Sequence, residues 1–213
     1  MNVTIIANGE IVNSQISLLP DTIIIAADGG ARHCLKLGLI PEVVIGDFDS
    51  LSENELADLE NAGSKLICHS SDKDETDLEL ALDYALQYRP TEITLYGLLG
   101  GRWDMTFSNL LLLTSPKFSE INFKIIDGNT KMFVLQGKKS LIVDGKAGDL
   151  ISAIPLSKEV DGINYKGLKW PLENASLGFG SPRGVSNELI STQAQISIES
   201  GILLIIKTTN KSP

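Results

Sequence analysis

The chain changes from apolar to acidic within Ile45-Gly46-Asp47-Phe48-Asp49-Ser50. The apolar run that ends there, Val43-Val44-Ile45, has the composition of a buried strand, and the carboxylates follow where that strand would enter a loop. Because residues two apart point the same way in an extended backbone, Asp47 and Asp49 could present their oxygens to one hard cation. The alternative is a solvated loop in which Ser50 or Ser52 caps the next helix.

The residues around this stretch alternate short apolar runs with helical or turn-rich stretches, which is typical of strand and helix units on a parallel sheet. The runs predicted as strands are 3–7, 22–27, 43–45, 66–68, 93–96 and 123–126. Helices are predicted over 51–62, 77–87 and 104–114, and the spacing of Thr76 and Glu79 predicts a capping box at the second.

After residue 128 the pattern changes to short apolar runs separated by Gly, Pro, Asp and Asn, and no long amphipathic helix remains. The predicted strands there are 132–135, 140–143, 150–154, 162–165, 193–198 and 203–207, with the last two expected to form a hairpin. We therefore predict an α/β domain over residues 1–128, with a mostly parallel Rossmann-like sheet and flanking helices. An all-β sandwich domain is predicted over residues 129–213.

The composition limits the partners and the compartment. With 18 Lys plus Arg against 27 Asp plus Glu, the net charge of -9 argues against nucleic-acid binding. No apolar run approaches the ~18 residues of a membrane span, and the N-terminus lacks the basic start of a signal peptide, so a cytoplasmic protein without a membrane partner is expected. Two cysteines, Cys34 and Cys68, fit a reducing compartment, and their spacing does not favour a zinc site.

Four acidic or glycine-rich clusters fall at predicted strand ends, and parallel strands bring such ends to one edge of a sheet. They are Asp28-Gly29-Gly30, Asp47-Phe48-Asp49, the run from Asp72 to Asp77, and Gly100-Gly101-Arg102-Trp103-Asp104. Glycine pairs let backbone approach a phosphate, and carboxylates would hold Mg²⁺, which bridges phosphate oxygens in an acidic protein. Each cluster alone could be an ordinary turn or helix start, and the common Gly-rich nucleotide signatures are absent.

Taken together and in this order, the four clusters closely resemble the motifs of the thiamine pyrophosphokinase family. The resemblance extends into the second domain, where Gly167-Leu168-Lys169-Trp170-Pro171-Leu172 and Gly184-Val185-Ser186-Asn187-Glu188 are similar to the segments that form the family's thiamine site. It implies a transferase that moves the pyrophosphoryl group of ATP to the hydroxyl of thiamine, giving thiamine diphosphate and AMP. It also implies a homodimer whose active sites are shared between subunits, the first domain of one meeting the second domain of its partner.

The resemblance also implies roles for individual residues. Asp47, Asp49, Asp77 and Arg102 are expected to be catalytic, and the three carboxylates are expected to bind Mg²⁺, with either Asp77 or Asp49 as the base. The residues expected on the side of ATP, the co-substrate, are Asp28, Gly29, Gly30, Asp74, Thr76, Gly100, Gly101 and Asp104. The residues expected to bind substrate are Trp170, Ser186, Asn187 and Lys73, with Lys73 contacting thiamine or phosphate. The family varies at Lys73 and often has another aromatic residue in place of Trp103.

The chemistry of these residues agrees with that assignment but leaves alternatives open. Trp170 could stack on cationic thiamine or be a core aromatic, and Ser186 and Asn187 could bind the aminopyrimidine or cap their own loop. An apolar strand followed by D-x-D also fits a phosphohydrolase with Asp47 as a covalent nucleophile. A further alternative is a sensor of nucleotide or vitamin without catalysis.

Overall fold

A computed structural model describes residues 1–11 and 16–210. It divides into two compact units, the first formed by Met1–Leu112 with Ile125–Gly128 and the second by Leu113–Lys124 with Asn129–Pro213. The predicted boundary after residue 128 coincides with one of these divisions, whereas Leu113–Lys124 clusters with the second unit. In the described parts of the chain, no helix is long and apolar enough to cross a membrane.

The first unit alternates strands and helices, which confirms the predicted α/β architecture. Its elements are β1 (Asn2–Ile6), β2 (Ile23–Ala27), α1 (Gly30–Leu37), β3 (Val43–Gly46), α2 (Glu53–Asn61), β4 (Lys65–Cys68), α3 (Asp77–Ala85), β5 (Glu92–Tyr96), α4 (Trp103–Leu112) and the end of β6 (Asn122–Asp127). The four pairings β5–β1, β1–β2, β2–β3 and β3–β4 are all parallel. Most of the β1, β2, β3 and β5 residues are buried, as expected for strands covered by helices on both faces.

The strand order in this unit is β6-β5-β1-β2-β3-β4. From β1 the chain adds β2, β3 and β4 on one side, and then returns to add β5 on the other side of β1. The order therefore reverses between β1 and β5, and in open α/β sheets ligands bind in the crevice outside the carboxyl ends at such a reversal.

The helix starts follow from local side-chain chemistry. At α2 the hydroxyl of Ser52 accepts a hydrogen bond from the Glu55 N–H, and the Glu55 carboxylate accepts one from the Ser52 N–H, which forms a complete capping box. At α3 the Thr76 hydroxyl accepts from the Glu79 N–H at 3.2 Å, which is the first half of the predicted box. The helix α1 was not predicted, because it begins with a glycine and is only 8 residues long.

The second unit is a sandwich of two sheets, as predicted. Its strands are β7 (Thr130–Gln136), β8 (Lys139–Asp144), β9 (Leu150–Pro155), β10 (Glu159–Lys166), β11 (Ala175–Gly178), β12 (Asn187–Glu188), β13 (Gln193–Ile198) and β14 (Ile202–Thr208). Four neighbouring strands of one sheet have the order β12-β9-β14-β7, and the other sheet has the order β11-β10-β13-β8. Their inward side chains form one apolar core that includes Ile151, Leu203 and Ile205 from the first sheet and Ile163 and Ile196 from the second.

The predicted hairpin at the end of the chain is wrong. β13 pairs with β8 and β10, whereas β14 pairs with β7 and β9, so the two strands belong to different sheets. The intervening residues form a turn with Gly201 at φ 89°, but this turn carries the chain from one sheet to the other. Alternating patterns in both strands are equally compatible with the two arrangements, because each strand buries one face in the shared core.

Candidate active site

The first unit has a cavity of about 570 Å³ at the carboxyl ends of its central strands. The residues that line it follow β1, β2 and β5 and come from α1, α3 and α4: Ala7, Asn8, Gly9, Glu10, Ala27, Asp28, Gly29, Arg32, His33, Lys36, Asp77, Leu78, Gly97, Leu98, Gly100, Gly101, Arg102, Met105 and Asn109. The cavity therefore lies where the strand order reverses, as expected for a ligand site.

Three carboxylates meet beside this cavity. Asp28 follows β2, Asp47 follows β3, and Asp77 begins α3; one oxygen from each lies within 4.8 Å of the others. We call these three residues the carboxylate cluster. Burial raises the pKa of Asp77, and the charges of Asp28 and Asp47 raise it further against the opposing effect of Lys73. The cluster thus concentrates negative charge that only a cation can balance.

Asp28 is the most buried member of the cluster, with 6% of its surface exposed. Its Oδ2 accepts a hydrogen bond from the Ser50 hydroxyl at 2.5 Å, whereas its buried Oδ1 has no hydrogen-bond partner among the described residues. A buried carboxylate oxygen without a donor is costly unless a cation contacts it. Three converging carboxylates are also the donors that Mg²⁺ and Ca²⁺ prefer, so the residues present fit a hard divalent cation.

Asp49 lies outside the carboxylate cluster. Strand β3 ends at Gly46, and Phe48 has a left-handed φ of 63°, so the extended backbone assumed for residues 47–49 does not occur. That geometric premise is wrong, although the metal role predicted for Asp49 stays a prediction. Its Oδ1 lies 3.1 Å from Ser50 Oγ, whose single proton is shared with the closer Asp28 Oδ2. The Asp49 N–H donates to Asp47 Oδ1 at 3.2 Å, so Asp49 adjoins the cluster through Ser50 and through its own backbone.

Lys73 lies beside the cluster, and its expected contact with thiamine or phosphate stays a prediction. Its Nζ is 3.0 Å from Asp77 Oδ1, and its side chain is 13% exposed. Burial works to lower the pKa of Lys73, but the charges of Asp77, Asp47 and Asp28 outweigh burial, and the net effect raises it. Asp74 is exposed and Thr76 caps α3, and neither is among the described residues that line the cavity.

The glycines after β2 allow the start of α1 to lie close to the backbone of β1. Gly29 is the N-cap of α1, and a Cβ at Gly30 would collide with the carbonyl oxygen of Ile6 in β1. Residue 30 must therefore be glycine for α1 to begin directly against β1. Both glycines were predicted to be functional, and Gly29 lines the cavity.

Three basic or titratable side chains of α1 line the cavity and were missed in the sequence analysis. They are Arg32, His33 and Lys36. Arg32 Nε donates to Glu55 Oε1 at 3.1 Å, and His33 Nε2 lies 2.9 Å from the carbonyl oxygen of Gly9, so that nitrogen carries a proton in this contact. Arg32 and Lys36 are four positions apart, a spacing that places two side chains on the same face of a helix. This spacing could have indicated a basic wall of the site only if α1 had been predicted.

The loop after β5 and the start of α4 form another wall. Gly100, Gly101 and Arg102 line the cavity, and both glycines have positive φ, 90° and 65°. The Arg102 guanidinium makes two hydrogen bonds to the Asp104 carboxylate, at 3.2 and 2.6 Å, and both side chains are exposed. This bidentate pair lowers the pKa of Asp104 and leaves the remaining guanidinium donors for a ligand.

In the second unit, Trp170, Ser186 and Asn187 form a small connected group. Asn187 is buried; its Oδ1 accepts from the Trp170 N–H at 3.0 Å, and its Nδ2 donates to the Trp170 carbonyl at 2.7 Å. Trp170 is 53% exposed, so it is not a core aromatic, and Lys169 Nζ lies 4.7 Å from the centre of its ring. Ser186 has a φ of 62° and its N–H donates to Ser152 Oγ at 3.0 Å.

The sequence matches two family models in the order of the two units. "Thiamin pyrophosphokinase, catalytic domain" matches residues 17–125, and "Thiamin pyrophosphokinase, vitamin B1 binding domain" matches residues 139–203. The chain belongs to the thiamin pyrophosphokinase family. Thiamin pyrophosphokinases are enzymes, so the alternative of a sensor without catalysis loses its support, and no comparison supports the phosphohydrolase alternative.

Individual thiamin pyrophosphokinases match almost the whole chain. The thiamine pyrophosphokinase of Bacillus subtilis is 34% identical over 202 residues, which cover 91% of this chain and 94% of the relative. The crystal structure of the Bacillus subtilis enzyme superposes with a TM-score of 0.86 at 30% identity, covering 99% of this chain and 100% of that one. The thiamin pyrophosphokinase of Geobacillus thermodenitrificans has a TM-score of 0.85 at 29% identity, with 100% and 99% covered.

Proposed function

We propose that this chain transfers the pyrophosphoryl group of ATP to the hydroxyl of thiamine, giving thiamine diphosphate and AMP. The observation that carries the proposal is the carboxylate cluster, Asp28, Asp47 and Asp77, at the edge of a cavity where the strand order reverses. That arrangement suits a nucleotide whose phosphates need both a cation and close backbone approach. Membership of the thiamin pyrophosphokinase family supports the choice of reaction.

The cavity also offers the polyphosphate of ATP three basic side chains and a histidine that can donate hydrogen bonds. Arg32, His33 and Lys36 come from α1, and Arg102 precedes α4. Gly29, Gly100 and Gly101 line the cavity, and we propose that phosphate oxygens approach the backbone there. An acidic protein with a net charge of -9 can thus bind a polyanion through a few placed cations.

Asp47 and Asp77, with Asp28 as a third carboxylate, would hold Mg²⁺. When bound, Mg²⁺ supplies positive charge to the phosphate oxygens. Asp49 remains a proposed ligand because the Ser50 hydroxyl connects it to Asp28. Thr76 is the N-cap of α3 directly before Asp77, and Asp74 lies three positions before Asp77; we propose that both help to position it.

The chain's own residues then position the reactants and move one proton. The thiamine hydroxyl oxygen forms a bond to the β-phosphorus of ATP, the bond from that phosphorus to the α-phosphate oxygen breaks, and AMP leaves. The hydroxyl proton passes to Asp77 or Asp49, the two carboxylates proposed as the base. Arg102, oriented by Asp104, places its guanidinium against the transferring oxygens.

We propose that thiamine binds at Trp170, with its cationic ring against the indole. The side chain of Asn187 positions Trp170 through two hydrogen bonds to the Trp170 backbone. Ser186, which directly precedes Asn187, has a left-handed backbone. We further propose a homodimer in which the carboxylate cluster of one subunit and Trp170 of its partner serve the same site. The cytoplasm is the proposed compartment, which two free cysteines support.

The test is incubation of the purified protein with ATP and Mg²⁺, with and without thiamine, followed by chromatography of the nucleotides. The expected result is AMP and thiamine diphosphate in equal amounts, formed only when thiamine is present. Asp77→Asn should abolish both products, whereas Asp58→Asn on the exposed side of α2 should leave them unchanged. Phosphate release that does not require thiamine would contradict the proposal.

A further inference from the structure

Lys73 is the side chain whose position the proposed reaction does not explain. It lies four residues before Asp77, in the loop between β4 and α3, and its Nζ is 3.0 Å from Asp77 Oδ1. With 13% of its side chain exposed, Lys73 keeps little of the hydration that a free lysine side chain has. A lysine loses this hydration without cost only where negative charge replaces the lost water.

The charge that Lys73 meets is that of the whole carboxylate cluster. Asp77 contacts it directly, and Asp47 and Asp28 act on it through space in the same direction. These residues come from the loops after β2 and β3 and from the start of α3, so all three segments around the cluster are included. One positive side chain therefore opposes three negative ones.

We propose that Lys73 is a built-in counter-cation of the carboxylate cluster, which neutralises it until a divalent cation binds and displaces the ammonium from Asp77. This inference rests on the metal site in the proposed function. A divalent cation held by Asp77 would lie within a few ångströms of Nζ, and like charges at that distance repel each other. The two cations therefore compete for Asp77.

The exchange has two consequences for the protein. Before the divalent cation binds, Lys73 reduces the repulsion among three adjacent carboxylates and so stabilises the fold. It also weakens the binding of the divalent cation, because the ammonium must first leave Asp77. Removing its charge should therefore tighten cation binding, whereas removal of a lysine that merely bound substrate would not change it.

The test is titration of Mn²⁺ into the protein, with free Mn²⁺ followed by electron paramagnetic resonance. Lys73→Met should bind Mn²⁺ about tenfold more tightly than the unmodified chain. Lys73→Arg keeps the charge and should stay within about twofold, as should Lys65→Met, which removes an exposed lysine at the amino end of β4. If Lys73→Met does not fold, Lys73→Gln carries the same expectation.

Thermal unfolding gives a second measurement that does not depend on catalysis. Saturating Mn²⁺ should raise the Tm of Lys73→Met more than that of the unmodified chain, since the variant begins without its counter-cation. If the unmodified chain binds Mn²⁺ and Lys73→Met binds it equally well or more weakly, the proposal that Lys73 is a counter-cation is wrong. The proposed function would then still stand. No Mn²⁺ binding by the unmodified chain overturns both.

Discussion

Single residues decide which carboxylates meet in this protein. Phe48 adopts a left-handed backbone, and the carboxylate of Asp49 lies outside the cluster although its N–H donates to Asp47 Oδ1 at 3.2 Å. Asp28, from the neighbouring strand β2, takes the third place in the carboxylate cluster. Two residues at neighbouring strand ends can thus be closer than two residues in one loop.

The first prediction concerns Asp47 and Asp49. Asp47→Asn should lower AMP formation by at least about 100-fold, because the cluster loses one of its three charges. Asp49→Asn should lower it to a similar extent if Asp49 acts through Ser50 on the same cation. Steady-state assays of AMP, with Asp58→Asn as the control, measure both effects, and near-normal turnover of Asp49→Asn would show that its assignment is wrong.

The second prediction concerns the two thiols. Cys34 is buried and burial raises its pKa to about 12, whereas Cys68 is exposed. The thiolate is the reactive form, so at pH 8 only Cys68 should react rapidly with Ellman's reagent, and Cys34 should react after unfolding in denaturant. The Cys68→Ser variant should show no rapid reaction, and two rapid thiols in the folded protein would contradict the burial of Cys34.

At the scale of elements, a buried ion pair joins the start of β9 to the end of β14. Lys207 Nζ lies 2.9 Å from Asp149 Oδ2, with side chains 7% and 2% exposed. Asp149 also accepts hydrogen bonds from the N–H groups of Lys146 and Asn210. Burial opposes its charge, but Lys207 and these two donors outweigh burial, and the pKa of Asp149 falls below its ordinary value.

The third prediction follows from this ion pair. Asp149→Asn should lower the free energy of unfolding by about 3–5 kcal/mol, because Lys207 is left buried without its partner. Since the folded pKa of Asp149 is lowered, its stabilisation is present above the ordinary value of 3.8 and is lost as the pH falls through the folded value.

Urea unfolding at neutral and acid pH measures both effects. The destabilisation by Asp149→Asn should shrink at the lowest pH at which the protein stays folded. Glu199→Gln breaks the ion pair between Lys138 and Glu199, whose side chains are 77% and 57% exposed. It should lower the free energy of unfolding by less than about 1 kcal/mol. Equal losses for the two variants would contradict the role of burial.

At the scale of the whole molecule, the residues proposed to act on ATP and on thiamine lie in different units. The carboxylate cluster belongs to the first unit, and Trp170, with Asn187 behind it, belongs to the second. In the proposed dimer, a subunit damaged in one unit can therefore complete a site with a subunit damaged in the other.

The fourth prediction tests this sharing. Asp77→Asn and Trp170→Ala should each be inactive, but equal mixtures refolded together should recover about a quarter of the normal activity. The reason is that about half of randomly assembled dimers are mixed, and each mixed dimer has one intact site of two. Thiamine diphosphate formation measures the recovery, and no recovery despite mixed dimers seen by native mass spectrometry would contradict the shared site.

The sequence by itself determined the fold class, most strands and helices, and the motifs of the family, because apolar periodicity and strand-end clusters are local signals. The short strands β11 and β12 were not predicted. Only the tertiary structure decided that Asp28 joins Asp47 and Asp77, that Lys73 pairs with Asp77, and that β13 and β14 lie in different sheets. These features depend on strand order and on the backbone of single loop residues. Neither leaves a periodic pattern, since both arise from contacts between residues distant in the chain.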